Sequence, residues 1–201
     1  FNGTSVFLEV VGQQEQPHRV DIDCPEGVAG WGVATSLPRA PETPEWGFGA
    51  YLAASYDELI DHPVEMGTFS RARFHACGVP HDVVITGRHR ADLDRLCHDL
   101  ELVCTAQICF FGEPAPFDRY VFLVTAVGSG YGGLEHRAST ALLCARDDLP
   151  QAGEPAAPGE RYKTFLGLCS HEYFHSWNVK RIKPAAFLPY DLTEKTGALM
   201  L

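Results

Sequence analysis

Long apolar runs, clusters of basic residues and internal repeats are all missing from this sequence of 201 residues. No stretch of 18 apolar residues occurs, so no membrane span is predicted. Lysine and arginine total 16 against 26 aspartates and glutamates and never form a run of five, so nucleic acid is not an expected partner. These absences, with 45% hydrophobic residues and a net charge of −10, favour a soluble globular protein such as an enzyme.

The seven cysteines include no C-x-x-C pair, and their number is odd. We expect reduced, mostly buried thiols, as in a cytoplasmic protein. The sequence predicts no signal peptide, and because it begins at Phe1 without a methionine, it looks like an internal piece of a longer protein. A cytoplasmic location is therefore expected, with a periplasmic one as the alternative if a preceding segment carries a signal peptide.

Hydrophobic periodicity predicts a mixture of strands and helices, and hence an α+β fold. A proline-rich loop over 37–46 separates two regions of different character and is a candidate domain boundary. Helices are predicted over 91–109 and 161–178, a short helix or turn over 50–60, and a glycine-rich turn over 128–133. Strands are predicted over 5–11, 18–23, 32–35, 69–74, 82–86, 119–127 and 134–145.

The last predicted helix contains the pattern H-E-x-x-H, formed by His171, Glu172 and His175. Four residues along a helix correspond to about 40° of rotation and about 6 Å of rise, so both imidazoles lean toward one point. Neutral imidazoles suit Zn²⁺, and Glu172 lies to one side, where it can take a proton from a water that the metal activates. The alternative interpretation is two ordinary histidines on a partly buried helix. The pattern favours a zinc-dependent hydrolase.

A catalytic zinc needs a third protein ligand, and a carboxylate is usual for this pattern. Glu194 is the only glutamate after the motif and lies 19 residues after His175. Because Thr193 or Asp191 would cap a new helix there, Glu194 is better interpreted as an exposed carboxylate in the first turn of that helix.

The residues after the motif extend it into a long signature. The segment from His171 to Ala185, H-E-Y-F-H-S-W-N-V-K-R-I-K-P-A, resembles the glycyl aminopeptidase family of zinc metallopeptidases. The likeness continues in 116–120 (P-F-D-R-Y), 130–137 (G-Y-G-G-L-E-H-R) and 142–150, and it spans nearly the whole chain. Members of this family are gluzincins, and full-length members often carry a C-terminal PDZ domain.

The resemblance implies a fold and a domain order. Residues 1–48 would be the end of an N-terminal β-domain, and residues 49–201 the first part of a thermolysin-like zincin catalytic domain. The third zinc ligand would be a glutamate beyond Leu201, followed by the PDZ domain. We therefore expect this piece of the protein to bind zinc weakly or not at all and to show little activity.

The glycine-rich segment supplies candidates for substrate binding. By the resemblance, Gly133 and Glu135 lie on the strand along which related aminopeptidases align a peptide, and Glu135 binds the free α-amine. The physical argument agrees, since a buried ammonium needs a carboxylate and glycine lets a peptide approach an edge strand closely. The alternative for Glu135 is a cross-strand ion pair with Arg137 or a neighbour. For Lys180 and Arg181, after the motif, we expect interactions with the helix C-terminus rather than with carboxylates.

The expected function is that of a zinc aminopeptidase that removes one N-terminal residue at a time, with glycine or another small residue preferred by the resemblance. The expected cofactor is one zinc ion, and the expected partners are peptides with a free N-terminus. The oligomeric state is left open. Two alternatives remain: a zinc endopeptidase of the same fold, and an inactive piece of a peptide-binding scaffold.

Overall fold

The computed structural model describes residues 1–183 and residue 185. Its first part consists of two antiparallel strand pairs and a short helix. Strand β1 (His18–Ile22) pairs with β3 (Gly49–Ala53), and β2 (Gly32–Thr35) pairs with β4 (Val64–Gly67). Helix α1 (Tyr56–Ile60) lies between β3 and β4 and is capped by Ser55, whose hydroxyl accepts a hydrogen bond from the Glu58 amide.

The strand predicted over residues 5–11 is wrong. A 3₁₀ turn (Gly3–Ser5) is found there, and the first strand is β1. A Cβ on Gly3 would lie 2.7 Å from the Cα of Ile60, and Phe7 packs against the small core around Leu59. The segment is therefore held by packing against α1 instead of by strand pairing.

The central element is a five-stranded mixed sheet in the order β5-β6-β7-β9-β8. Strands β6, β7 and β9 are parallel, whereas β5 and β8 run antiparallel to their neighbours. Strand β8 therefore forms one edge of the sheet built from the described strands. The strand bounds are β5 (Phe69–Ala76), β6 (Val79–Thr86), β7 (Tyr120–Val127), β8 (Tyr131–Glu135) and β9 (Ser139–Ala145).

Each face of this sheet is covered by a different layer. Helices α2 (Leu93–Phe111) and α3 (Glu160–Phe174) pack on one face. Successive strand residues point to opposite faces, so Val83 joins the core under the helices while Val84 joins a core shared with the first strand pairs. The larger core lies under α2 and α3, and it therefore fixes where α3 sits on the sheet.

The chain is thus a protein of mixed α and β structure, and most of the predicted elements are confirmed. Residues 50–53 are strand instead of helix or turn, and the predicted glycine-rich turn contains the start of β8. Helix α3 ends at Phe174 instead of residue 178, and the amides of Ser176 and Trp177 that follow it bond to carbonyls three residues back, in a tighter turn.

The predicted domain boundary after residue 48 stays a prediction. The strands on either side of it pair with each other, which favours a boundary further along the chain, near residue 68. All seven cysteines are free thiols, as expected, and four of them are buried. Within residues 1–183, no helix has the length and apolar character needed to cross a bilayer.

Candidate active site

The two motif histidines converge at the C-terminal end of α3. His171 lies in the last turn, and His175 follows the helix with helical backbone angles, so both rings lie on the same side. Their Nε2 atoms are 3.0 Å apart, and the two rings are nearly perpendicular, at 89°. The Nδ1–H of His175 donates to the carbonyl of Asn178 at 3.1 Å, which leaves its Nε2 lone pair directed toward His171. Both Nε2 atoms therefore face one small volume.

Glu172 extends from α3 against the edge strand β8. Its side chain is buried, and its Oε2 atom has no hydrogen-bond partner among the described residues. A Cβ added to Gly133 would lie 2.5 Å from the Cδ of Glu172 and 2.6 Å from its Cγ, so the carboxylate fits there only because residue 133 is glycine. Burial raises the pKa of Glu172, the Glu135 carboxylate raises it further, and His175 lowers it.

Glu135 ends β8 and is half-buried. Arg137, the ion-pair partner considered for it, pairs with Asp57 instead. No ion pair of Glu135 is found between residues 1 and 183, and its carboxylate is near enough to Glu172 to raise that residue's pKa. The structure therefore brings Gly133, Glu135, Glu172 and the two histidines together, although their roles stay predictions.

Buried contacts hold the motif helix from behind. Tyr173, inside the motif, is fully buried, and its hydroxyl donates to His81 Nε2 at 2.9 Å. The Nδ1–H of His81 donates to the carbonyl of Val79 at 2.9 Å. Burial lowers the pKa of His81 to about 4, so its ring is neutral at pH 7. Gln107 of α2 donates to both oxygens of Ser170 at 2.8 Å, which fixes α3 next to the first motif histidine.

A buried aspartate joins two segments beside the motif. Asp61 accepts hydrogen bonds from the Nζ of Lys180 at 3.0 Å and from the amide of Arg137 at 2.8 Å. The Nδ1 of His136 lies 3.6 Å from its Oδ1, which is an electrostatic contact but too long for a hydrogen bond. Burial acts to raise the pKa of Asp61, but these three neighbours outweigh it and hold the pKa well below its usual range.

The expectation for Lys180 is therefore wrong, since it pairs with a carboxylate. The guanidinium of Arg181 donates to the carbonyl of Ser176 at 2.6 Å, just past the end of α3, as expected for a cation at a helix C-terminus. It also donates to the carbonyl of Pro116 at 2.7 Å. Sequence reasoning missed Asp61 because its partners lie far along the chain and no local pattern marks it.

The histidine pair fits two positions of a zinc site. Nitrogens at about 2.0–2.1 Å from a tetrahedral Zn²⁺ lie roughly 3.3 Å apart, which is close to the 3.0 Å between these two atoms. The unpartnered Oε2 of Glu172 supplies a free acceptor nearby. No third cysteine, histidine or carboxylate from the described residues completes a ligand group with the pair. Glu194, the candidate within the chain, lies outside the described residues.

Comparisons with known proteins identify the family of this chain. Residues 1–68 match the peptidase M61 N-terminal domain, and residues 164–201 match the M61 glycyl aminopeptidase domain. The chain is similar to a crystal structure of an aminopeptidase N family protein from Idiomarina loihiensis, with 47% identity and a TM-score of 0.92. That match covers 96% of this chain but only 32% of the length of the Idiomarina protein. Among curated proteins, none matches the chain.

Two more distant structures are also similar. Legionella pneumophila aminopeptidase A in complex with aspartic acid has a TM-score of 0.51 and 13% identity, over 73% of this chain and 18% of that one. An M1 zinc metallopeptidase from Deinococcus radiodurans has a TM-score of 0.45 and 15% identity, over 81% of this chain and 33% of that one. The first likeness concerns the fold alone, and the second is too weak to support an argument.

A helix that carries H-E-x-x-H is the mark of peptidases that use a metal. Here that helix lies against the edge strand of a mixed sheet, and the matched families are peptidase families. The chain belongs to the M61 glycyl aminopeptidase family, as the residues after the motif predict.

Proposed function

We propose that the protein containing this chain is a zinc-dependent aminopeptidase that hydrolyses the N-terminal peptide bond and prefers glycine or another small first residue. His171 and His175 are two of its zinc ligands, and Glu172 is the general base. Glu135 and Gly133 bind the substrate. The M61 match and the 47% identity to an aminopeptidase N family protein support the peptidase class.

Glu172 is positioned to move a proton. Zinc, when bound, supplies Lewis acidity toward the scissile carbonyl and the attacking water. The buried Oε2 of Glu172 has no competing donor among the described residues, so it is free to accept a proton from that water. The protonated carboxyl of Glu172 then passes the proton on to the leaving amine.

Glu135 is the proposed anchor for the substrate's amine. Its carboxylate lies close to that of Glu172 and has no ion pair of its own in the described part of the chain. An ammonium group placed beside Glu135 relieves the repulsion between the two carboxylates. An anchored amine also limits cleavage to the first peptide bond, which separates an aminopeptidase from an endopeptidase of the same fold.

The single observation that carries this proposal is the packing of Glu172 against Gly133. This contact holds the carboxylate of the motif helix against the strand that ends in Glu135. The proton acceptor, the histidine pair and the amine anchor thereby lie in one place.

The test compares peptides that differ only at the N-terminus, using full-length protein loaded with zinc. Peptides beginning with free glycine should be cleaved, and their N-acetylated forms should not. Glu135→Gln should raise KM for free peptides roughly 10–100-fold, the loss expected for a charged hydrogen bond of about 1.5–3 kcal/mol. Glu172→Gln should abolish turnover and retain the metal.

Glu101→Gln, which removes an exposed carboxylate from α2, is the matched control and should behave as the parent. Equal cleavage of free and acetylated peptides would contradict the role of Glu135 and favour an endopeptidase. No turnover by the zinc-loaded, full-length protein would favour a peptide-binding scaffold.

The remaining proposals concern the longer protein. The catalytic domain has the thermolysin-like zincin arrangement and continues past residue 201. That continuation supplies a glutamate as third zinc ligand and a PDZ domain. Residues 1–201 alone, which hold two of the proposed ligands, bind zinc weakly or not at all.

A further inference from the structure

We propose a second cation site, formed by the side chains of Cys77, Cys109 and Glu113 and suited to a thiophilic divalent ion such as zinc. It lies outside the H-E-x-x-H site, and the proposed catalysis does not use it. In the described part of the chain, this is the one group of three metal-binding side chains whose ligand atoms all lie within 4.8 Å of one another.

The three ligands come from two neighbouring parts of the fold. Cys77 lies in the tight turn between β5 and β6, Cys109 lies in the last turn of α2, and Glu113 follows that helix. Gly112, with a φ of 96°, redirects the chain between the last two ligands. Cys109 and Glu113 are exposed and Cys77 is partly exposed, so an ion has direct access to the group.

Two thiolates and a carboxylate form a ligand set that zinc accepts. Bond lengths of about 2.3 Å to sulfur and about 2.0–2.2 Å to oxygen place tetrahedral ligands roughly 3.6–3.8 Å apart. The ligand atoms already lie within 4.8 Å of one another, so small side-chain rotations are enough to reach that spacing. The fourth position remains for water.

Cys77 occupies a backbone position that ordinarily disfavours it. Its φ is 46°, in the left-handed region, and the following Gly78 has a φ of 77°. Ala76 and Val79 pair across the hairpin, so Cys77 and Gly78 are the two central residues of its turn. Asparagine or aspartate followed by glycine is preferred in such turns. Cysteine is unfavourable there, which points to a use for its side chain.

The charges of the group also favour a cation. Ionised thiols next to Glu113 would concentrate negative charge in one place. A divalent ion removes this repulsion: it binds the two sulfurs and the carboxylate and displaces the two thiol protons into solvent.

A bound ion would brace the surface on which the motif helix ends. It would tie the end of α2 to the turn between β5 and β6. Phe111, at that end of α2, stacks on Trp177 with ring centroids 4.7 Å apart and contacts Phe174 at 5.2 Å. The ion would therefore stabilise the end of α2 next to the turn that comes after α3.

The test uses full-length protein that is metal-free, reduced with a phosphine, and carries His171→Ala and His175→Ala so that the motif cannot bind metal. Titration with Cd²⁺ should produce the ultraviolet thiolate-to-cadmium charge-transfer band and saturate at one ion. Cys77→Ser and Cys109→Ser should each reduce the band. Each should also weaken cadmium affinity by more than roughly 10–100-fold. That range is the usual loss when a metal ligand loses its supporting hydrogen bond, and losing the ligand itself costs more.

Glu113→Gln should weaken cadmium binding and keep the band, and Cys24→Ser, which removes another exposed thiol, should change neither. A band that survives both serine variants at Cys77 and Cys109 overturns the proposal, and so does the absence of a band. A disulfide between Cys77 and Cys109 in the air-exposed protein, with no cadmium binding after reduction, assigns the pair to redox chemistry and also overturns it.

Discussion

The backbone of Gly133 leaves the space that the Glu172 carboxylate occupies. Oε2 of that carboxylate is buried and unpartnered within the described residues, so its position is set by packing more than by hydrogen bonding. A side chain at residue 133 would take the same volume. The position of Glu172, the proposed base, therefore depends on the absence of a Cβ atom at residue 133 of β8.

Gly133→Ala should displace Glu172 and lower kcat without unfolding the protein. The loss should be roughly 100-fold, since a shift of about 1 Å in a reacting group has that effect. Gly132→Ala is the matched control, because a Cβ there meets nothing within 4 Å. Steady-state kinetics with circular dichroism checks both variants, and equal kcat values for the two would rule out this role of Gly133.

Residue-scale prediction of position works where a fixed period governs it. Helical spacing in H-E-x-x-H predicts that the three motif side chains lie close together, as they do in the structure, while their roles stay predictions. Gly133 and Glu135 came only from the family resemblance, because their contact with α3 joins distant segments. Asp61 was missed, since Lys180 lies 119 positions away and no periodicity links the two residues.

At the scale of elements, continuous apolar runs predicted the buried strands well, whereas strand-like composition failed where packing replaced pairing. Strands β6 and β7 are buried on both faces and have the apolar runs typical of such strands. Residues 5–11 have the composition of a strand, but their partner is α1. The glycines of β8 favour a turn, although pairing with β9 overrides their low strand propensity.

Asp61 connects α1 to the end of β8 and to the turn after α3. Asp61→Asn should lower the free energy of unfolding by roughly 3 kcal/mol, the usual cost of breaking a buried ion pair. Urea denaturation measures this change. Asp57→Asn is the control, because Asp57 pairs with the guanidinium of Arg137 but its side chain is 73% exposed. Its effect should stay below about 1 kcal/mol, and equal losses in both variants would contradict a special role for Asp61.

At the scale of the whole molecule, two buried histidines make stability depend on pH. Burial lowers the pKa of both His81 and His62 to about 4, from an ordinary value near 6.5. Below pH 6.5 the unfolded chain binds protons that the folded protein does not, so stability is full above that pH and falls as the pH approaches 4. The loss is roughly 3 kcal/mol for each histidine.

His81→Gln should roughly halve this fall between pH 6.5 and 4, because glutamine still accepts the Tyr173 hydroxyl proton but does not titrate, while His62 still does. His98→Gln removes an exposed imidazole from α2 and should leave the slope as in the parent. Denaturant unfolding at a series of pH values measures the slope, and an unchanged slope for His81→Gln would contradict the assignment.

Strand β8 is an edge strand, or border, of the sheet that the described strands form. The backbone groups on its outer side face away from that sheet. A peptide laid along such a border is recognised through its main chain, which every sequence shares. Under the proposed function, selectivity would then come from the end of the peptide, where Glu135 is proposed to bind the amine. Such a site would recognise the N-terminus of a polypeptide and discriminate little among the side chains further along it, which suits the proposed aminopeptidase.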